Sequence, residues 1–303
     1  ITENVLFRVS SDGIYVSATD LETGFQGSYS AEVESEGDFA INAKKLFEIV
    51  KDFPSDEIHF HEVENRWVKI GNERIEYNIV GINPEDFPNQ PQVDDVELFE
   101  VESAALKRMI EKIIIIAGAS DDRRPHISGM YFERIISDDA KKVRMVSTDG
   151  SRLSKIDYDC SPDVKMPEGP GVLIPKKAIH EVGKFLSTEG MVRIGVNENY
   201  FVVKKEPETM IIRLLEGDFP KYADIINRAG GHTVRVSRAM FLMTLKRMSI
   251  LSSENYKGVV FDFTENRLKV TATNPDIGES KEELDTEFAG DPMRIAFNPK
   301  FFI

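Results

Sequence analysis

Few side chains in this protein have the types and spacing that metal binding or catalysis requires. His59 and His61 alternate along one predicted strand, so both imidazoles would face the same side and could bind one metal ion. The sequence places no third ligand nearby, whereas zinc sites use at least three protein ligands. We therefore predict that this pair binds no metal.

The acidic and glycine-rich segments do not form a recognisable catalytic pattern either. Asp20 and Asp149 resemble a carboxylate pair, but they occupy equivalent positions in separate copies of a repeat, so a shared active site is not expected. The Gly-Pro-Gly segment at 169–171 is typical of a turn rather than of a phosphate-binding loop. P-loop, Rossmann and nucleophile-elbow motifs are missing from the sequence. We predict a non-catalytic protein without a cofactor; a hydrolytic enzyme is an alternative that has no site signature.

Those equivalent positions belong to a threefold internal repeat. Three short motifs recur with offsets of 123 to 132 residues. A period of this length is domain-sized and far exceeds the roughly 20–50 residues of solenoid repeats. The chain is therefore predicted to consist of tandem copies of one domain. The recurring motifs are Ala18-Thr19-Asp20 with Ser147-Thr148-Asp149 and Ala272-Thr273-Asn274, Lys44-Lys45-Leu46 with Lys176-Lys177-Ala178 and Pro299-Lys300-Phe301, and Asp86-Phe87-Pro88 with Asp218-Phe219-Pro220.

Within each copy, hydrophobic periodicity predicts helix, strands, helix and strands in that order. Helical spacing of apolar residues predicts amphipathic helices over 43–53, 103–118, 175–186 and 237–251, and another beginning at Pro299. Alternation predicts strands over 4–7, 14–20, 67–70, 75–80, 129–132, 143–148, 200–204, 258–261 and 268–273. The apolar faces of both helices in a copy must be buried against the sheet. We therefore expect an α+β domain with two helices packed on antiparallel sheet.

Length and composition suggest about two or three globular domains. The 303 residues include one cysteine, Cys160, which excludes an intramolecular disulfide and favours a reducing, cytoplasmic location. The longest apolar stretch, 113–117, is far shorter than the roughly 20 residues of a membrane span, and no signal peptide is recognisable. By register with the second copy, the first lacks its opening helix and the third its last part, so we expect an incomplete chain.

Charge is distributed unevenly between the predicted helices and the remaining residues. The net charge of −14 by itself argues against nucleic-acid binding. The helices at 43–53, 103–118, 175–186 and 237–251 nevertheless carry +1, +2, +2 and +3, so the rest of the chain carries −22. Because each apolar stripe must face the sheet, the basic side chains share the opposite face, which suits a sequence-independent contact with phosphates. Lysine-rich helices that are simply solvated are the alternative interpretation.

Four segments distributed over the chain carry a family resemblance. They lie at 128–132 (SGMYF), 146–153 (VSTDGSRL), 213–222 (RLLEGDFPKY) and 297–301 (FNPKF). Together with the threefold repeat, they resemble the bacterial DNA polymerase III beta subunit family, the sliding clamps. The resemblance covers the whole chain in order. It implies three clamp-type domains, which we place at 1–98, 99–229 and 230–303.

The resemblance further implies a head-to-tail homodimer that forms a ring of six similar domains with helices lining a central hole. Double-stranded DNA would pass through the hole, held by topology, so that weak contacts permit sliding. The dimer contact would join Tyr77 and Ile79 of the first domain to Ile250 and Leu251 of the third. Expected partners are the DNA polymerase III alpha subunit, the clamp loader and other proteins with a clamp-binding motif. Membrane binding is not expected. The alternative function is that of a cytosolic repeat scaffold, which binds only proteins and no DNA.

Under the resemblance, basic residues of the helices and of one loop face the DNA. In the loop at 121–126, Arg123 and Arg124 resemble phosphate contacts, and a solvated turn with its neighbouring aspartates is the alternative. The DNA-facing set is Lys44, Lys45, Lys51, Lys107, Arg108, Lys112, Arg123, Arg124, Lys176, Lys177, Lys184, Lys246 and Arg247.

The resemblance also implies a peptide pocket between the second and third domains. Apolar walls with a few polar groups suit a short peptide with leucine and phenylalanine anchors. Asp224 stands where some clamps carry a basic residue, which changes the charge at one edge of the pocket. For Ile127 and Leu153, ordinary core packing is the alternative. The pocket residues are Ile127, Thr148, Gly150, Ser151, Arg152, Leu153, Pro220, Ile225, Tyr256, Asn298 and Phe301.

Overall fold

The fold consists mainly of antiparallel strands, with short helices between them. The computed structural model describes residues 3–116, 129–137, 140–227, 231–251 and 258–303. Within these ranges every strand pair is antiparallel. The strands are β1 Asn4–Ser10, β2 Gly13–Thr19, β3 Thr23–Tyr29, β4 Gly37–Asn42, β5 His59–Glu62, β6 Trp67–Gly71, β7 Glu76–Val80, β8 Leu98–Glu102, β9 Gly129–Ser137, β10 Ala140–Thr148, β11 Leu153–Asp159, β12 Val172–Pro175, β13 Met191–Val196, β14 Tyr200–Lys205, β15 Glu208–Arg213, β16 Val259–Thr264, β17 Arg267–Asn274, β18 Gly278–Asp285 and β19 Met293–Phe297.

The α-helices of the described ranges are short; four lie where the periodicity predicts them, and the single turn at Ala223–Ile226 was not predicted. Among the described residues, α-helices occur at α1 Ala43–Lys51, α2 Ser103–Ile113, α3 Lys176–Phe185, α4 Ala223–Ile226 and α5 Arg238–Met248. Short 3₁₀ turns lie at Glu64–Arg66, Pro84–Asp86, Ser249–Leu251 and Pro299–Phe301. This part of the chain contains no helix long and apolar enough to cross a membrane.

Two compact units divide the chain, Ile1–Pro220 and Lys221–Ile303. The larger unit holds the first two copies of the repeat, because one eight-stranded sheet, β4-β1-β2-β3-β15-β14-β13-β8, runs through both. β3 and β15 join the copies, with register pairs from Thr23 opposite Ile212 to Gly27 opposite Glu208. Each copy adds a second sheet, β5-β6-β7 in the first and β11-β10-β9-β12 in the second. The domain boundaries at 98 and 229 stay predictions.

The second copy shows how two helices cover the strands. α2 and α3 bury their apolar faces in one cluster with residues from both sheets of that copy. The buried positions are spaced three or four residues apart, as one face of a helix requires. This arrangement confirms the predicted α+β class. The buried apolar residues of the two helices are Ala105, Leu106, Met109, Ile110, Ile113, Ala178, Ile179 and Val182.

In the described part of the smaller unit, α5 packs against a four-stranded sheet. The sheet has the order β18-β17-β16-β19, and α5 buries Leu245 and Met248 against it. Phe261 and Val270 lie at the centre of the same cluster. Aromatic and aliphatic side chains from helix and strands therefore form one core, as in the second copy.

Several predicted helix boundaries differ from the structure, and the helix predicted over 175–186 is shorter by one residue at each end. The helix predicted over 103–118 ends at Ile113 and continues as a turn to residue 116, where β-branched isoleucines lower helix propensity; residues 117–128 lie outside the described ranges. The helix predicted over 43–53 ends at Lys51, because Pro54 disfavours helical backbone just before it. The helix over 237–251 changes to a 3₁₀ turn after Met248, and the helix expected at Pro299 is a 3₁₀ turn.

Candidate nucleic-acid and peptide-binding surfaces

The recurring Thr-Asp motif of the second copy forms a tight turn between β10 and β11. Thr148 Oγ1 donates to Arg152 O at 2.8 Å and accepts from the Gly150 amide at 3.1 Å. Asp149 Oδ1 accepts from the amides of Ser151 and Arg152, both at 3.0 Å. Burial acts to raise the pKa of Asp149, but these amides and the Arg152 guanidinium hold it below its ordinary value. Gly150 supplies the positive φ of +87° that this turn requires.

The first copy forms the same turn between β2 and β3. Thr19 Oγ1 donates to Thr23 O at 3.1 Å and accepts from the Leu21 amide at 3.0 Å. Asp20 Oδ1 accepts from the Glu22 and Thr23 amides at 3.1 and 2.7 Å. Side-chain oxygens thus satisfy backbone groups that the turn leaves open. The repeat preserves a turn, and each aspartate serves the turn of its own copy.

The other carboxylate oxygen of Asp20 binds a lysine of the second copy. Asp20 Oδ2 lies 2.6 Å from Lys177 Nζ, at the start of α3. Burial acts to raise the pKa of Asp20, but hydrogen bonds from Lys177 and from the Thr23 and Glu22 amides lower it overall. The same hydrogen bond raises the pKa of Lys177. This ion pair therefore connects the two copies near the face that is predicted to meet DNA.

The predicted peptide-pocket positions of the larger unit lie on the Thr-Asp turn and just after β15. Ser151 is exposed, and Leu153 is half-buried at the start of β11 rather than in the core. Pro220 is exposed, and the preceding Phe219 stacks on Tyr131 with ring centroids 4.9 Å apart. The Thr-Asp turn and the residues after β15 therefore each present a partly apolar surface.

The smaller unit holds the other described pocket positions. Ile225 on α4 is 57% exposed, and Asp224 beside it is exposed as well. The Asn298 side chain accepts from the Lys300 amide at 3.1 Å and so caps the 3₁₀ turn that carries Phe301, which is 38% exposed. Ile127 and Tyr256 lie outside the described residues. Membership of one pocket stays a prediction.

Nine of the thirteen predicted DNA-facing residues are exposed on the helices. Lys107 is half-buried and its Nζ donates to Leu186 O at 3.2 Å, at the end of α3. Lys176 is half-buried, and Arg123 and Arg124 lie outside the described ranges. The exposed members are Lys44, Lys45 and Lys51 on α1, Arg108 and Lys112 on α2, Lys177 and Lys184 on α3, and Lys246 and Arg247 on α5.

Several of these basic residues have acidic partners that were not predicted from the sequence. Lys45 lies 2.8 Å from Glu48, and Lys184 lies 2.9 Å from Glu181. The i,i+3 spacing of both pairs on a helix could have indicated them. The partners of Lys177 and Arg247 come from other elements, so sequence spacing held no signal for them.

The predicted dimer residues lie on an edge strand and on an exposed turn. β7 is an edge of the sheet β5-β6-β7, and on it Tyr77 is 44% exposed while Ile79 packs partly into the core. Ile250 is 75% exposed and Leu251 is half-buried, both in the 3₁₀ turn after α5. An edge strand with open backbone groups and a large exposed apolar side chain are features that association would cover.

The two histidines do not form a metal site in the described part of the chain. His59 and His61 are both exposed on β5. Nowhere in the described ranges do three or more histidine, cysteine, aspartate or glutamate residues gather in a metal-binding group.

Comparison with known proteins agrees with this architecture along the whole chain. Sequence models of the DNA polymerase III beta subunit match its N-terminal domain at residues 1–91, its central domain at 100–221 and its C-terminal domain at 224–303. The beta sliding clamp of Pseudomonas putida is 28% identical over 305 residues, covering 100% of this chain and 81% of that protein. The DNA polymerase III subunit beta from Pseudomonas aeruginosa superposes with a TM-score of 0.90 at 26% identity, over 99% of this chain and 81% of that one. The beta subunit from Thermotoga maritima gives 0.88 at 26% identity, over 99% and 80%.

The tandem α+β copies, the basic helix faces and these matches define a replication sliding clamp, a class of non-catalytic processivity factors. Within that class, the chain belongs to the bacterial DNA polymerase III beta subunit family. The fold class and function predicted from the sequence are confirmed.

Proposed function

We propose that the protein forms a homodimeric ring around double-stranded DNA and holds it without sequence specificity. The observation that carries the proposal is the separation of charge between elements. The solvent-exposed faces of α1, α2, α3 and α5 carry basic side chains in a chain whose net charge is −14. Phosphate contacts from lysine and arginine are independent of sequence, as a sliding protein requires.

Dimer formation is proposed at the edge strand β7 and at the turn after α5. Adding a strand to β7 would satisfy its open backbone groups and cover Tyr77. Ile250, which is 75% exposed, would lose its contact with water in the same step. Both features suit an interface between identical chains.

We further propose that the Thr-Asp turn at 148–153 helps to bind the DNA polymerase III alpha subunit, the clamp loader and other proteins with a clamp-binding motif. Its support is a rigid turn next to the half-buried Leu153. A related sliding clamp from Bartonella birtlesii has been solved bound to griselimycin, so that clamp accepts a ligand. A cytoplasmic location is proposed from the single cysteine.

Two measurements on the intact protein test the ring. Negative-stain imaging should show rings with a central hole. In a retention assay, the protein should stay on closed circular DNA and dissociate from linearised DNA. Ile250→Lys combined with Leu251→Lys should give monomers by native mass spectrometry, whereas Met191→Lys, at a site 50% exposed on β13, should leave the mass unchanged. Solid particles and equal loss from circular and linear DNA would instead support a scaffold that binds only proteins.

A further inference from the structure

We propose that carboxylates paired with helix lysines and arginines limit how strongly the clamp holds DNA, so that it slides. The proposal rests on the proposed DNA contact and adds a role for acidic residues on the same surface. It assigns Glu48, Glu181, Asp20 and Glu282 as positioning residues, which hold basic groups away from phosphate.

Two of these pairs lie within helices. Lys45 Nζ is 2.8 Å from Glu48 Oε2 on α1, and Lys184 Nζ is 2.9 Å from Glu181 Oε1 on α3. The hydrogen bond from Lys45 lowers the pKa of Glu48, so this carboxylate is charged at neutral pH. Every side chain in the two pairs is at least 44% exposed, so phosphate can reach the lysines.

The other two pairs come from tertiary contacts. Asp20, on the turn after β2, holds Lys177 at 2.6 Å. Glu282, on β18, binds Arg247 of α5 through both carboxylate oxygens, with the Nε–Oε2 distance at 2.9 Å. The hydrogen bond from Arg247 lowers the pKa of Glu282. Fork-shaped pairing of this kind occupies the same donors that a guanidinium would offer to phosphate.

The DNA-facing set therefore divides into two groups. The paired group consists of Lys45, Lys177, Lys184 and Arg247. Within the described ranges, the other exposed members form no ion pair with the protein. This unpaired group consists of Lys44, Lys51, Arg108, Lys112 and Lys246.

The two groups should differ in how they respond to DNA and to salt. Each phosphate that a free cation neutralises releases counterions, which steepens the dependence of log K on log salt by about 0.9 for duplex DNA. A paired cation must first leave its carboxylate, so it contributes less to affinity and to this slope. During sliding, the carboxylate also gives the lysine a partner between phosphates. The barrier between successive positions on DNA is then lower than for an unpaired lysine.

A comparison of Glu48→Gln with Glu111→Gln tests pairing against net charge. Glu111 is exposed on α2 beside Arg108 and Lys112, and it forms no ion pair within the described residues. Both substitutions remove one negative charge from the same class of helix face. Binding of the intact protein to a short duplex is measured by fluorescence anisotropy between about 0.05 and 0.3 M salt, a range over which the Debye length shortens as salt rises.

We expect Glu48→Gln to raise DNA affinity about 2- to 5-fold at low salt, the range of a surface ion pair. The salt slope should become steeper by up to about 0.9, and one-dimensional diffusion on DNA should slow. Glu111→Gln should raise affinity by less and leave the slope unchanged. Glu181→Gln, at the other pair within a helix, tests the same expectation independently. Thermal melting confirms that each variant is folded.

Equal effects of Glu48→Gln and Glu111→Gln on affinity and slope would show that net charge alone acts, and would overturn the pairing proposal. The unsubstituted protein separates this outcome from failure of the proposed function. If it shows no salt-dependent association with DNA, the DNA contact itself is wrong, whatever the variants do.

Discussion

Asp20 links a local turn, a contact between two copies of the repeat and a DNA-facing lysine, and two substitutions separate these roles. Asp20→Asn keeps an oxygen that accepts from the Glu22 and Thr23 amides, but it removes the charge that faces Lys177. Asp20→Ala removes both. The Lys177 and Asp20 side chains are 62% and 39% exposed, so solvent screens their attraction to about 0.2–1 kcal/mol. The lost turn bonds, comparable to a missing helix cap, cost about 1–2 kcal/mol more.

The stability of each variant is measured by thermal or urea unfolding of the intact protein at two pH values. A loss of 1 kcal/mol lowers Tm by roughly 2–4 °C for 150–250 residues, so Asp20→Ala should melt several degrees below Asp20→Asn. The folded-state pKa of Asp20 lies below its ordinary 3.8, so its ionic stabilisation is present above that value and lost as pH falls through the folded pKa. The deficit of Asp20→Asn should therefore shrink towards the acid end of the range.

Asp12→Asn, at an exposed position in the turn between β1 and β2, is the matched control and should leave the midpoint unchanged. If Asp20→Asn lowers stability as much as Asp20→Ala at neutral pH, the turn bonds are not what Asp20 contributes. If Asp20→Asn matches the unsubstituted protein at every pH, the ion pair with Lys177 adds nothing to stability.

Two further predictions concern the peptide surface and a close backbone approach. Leu153→Asp should abolish binding of a peptide with leucine and phenylalanine anchors, measured by calorimetry, while native mass spectrometry still shows the dimer; loss of the dimer instead would contradict the assignment of Leu153 to a peptide surface. Gly71→Ala would place a Cβ 1.9 Å from the Ile75 carbonyl oxygen, so β6 or β7 must shift, and urea unfolding should show a loss of about 3 kcal/mol. Gly37→Ala, where a Cβ meets nothing within 4 Å, should change stability by less than about 0.5 kcal/mol; equal losses at both sites would exclude the clash as the cause.

Much of the fold could be predicted because it depends on local patterns. The alternation around Val143 and Met145 predicts one buried strand face, and both residues are buried in β10. The helical spacing of Leu106, Met109 and Ile110 likewise predicts the face that α2 buries. Where local signals compete, as in the isoleucine run after Ile113, the predicted helix was too long.

The candidate surfaces could be predicted only in part. Which helix faces are basic follows from spacing, since a helix that buries one face must expose the other. Only the family resemblance points to Leu153 and Ile225, and the structure describes each within its own unit. The shared role of Thr148 and Thr19 in a turn became visible only with the hydrogen bonds in place.

By itself, the sequence determined the threefold repeat, the order of elements and the sign of charge on each helix face, because these properties depend on neighbours within a few turns or strands. Only the tertiary structure decided that β3 pairs with β15, so that two copies share one sheet. It also decided that Asp20 meets Lys177 and that Glu282 meets Arg247. Such contacts join residues far apart in the chain, and no local periodicity specifies which distant strand or side chain will be the neighbour.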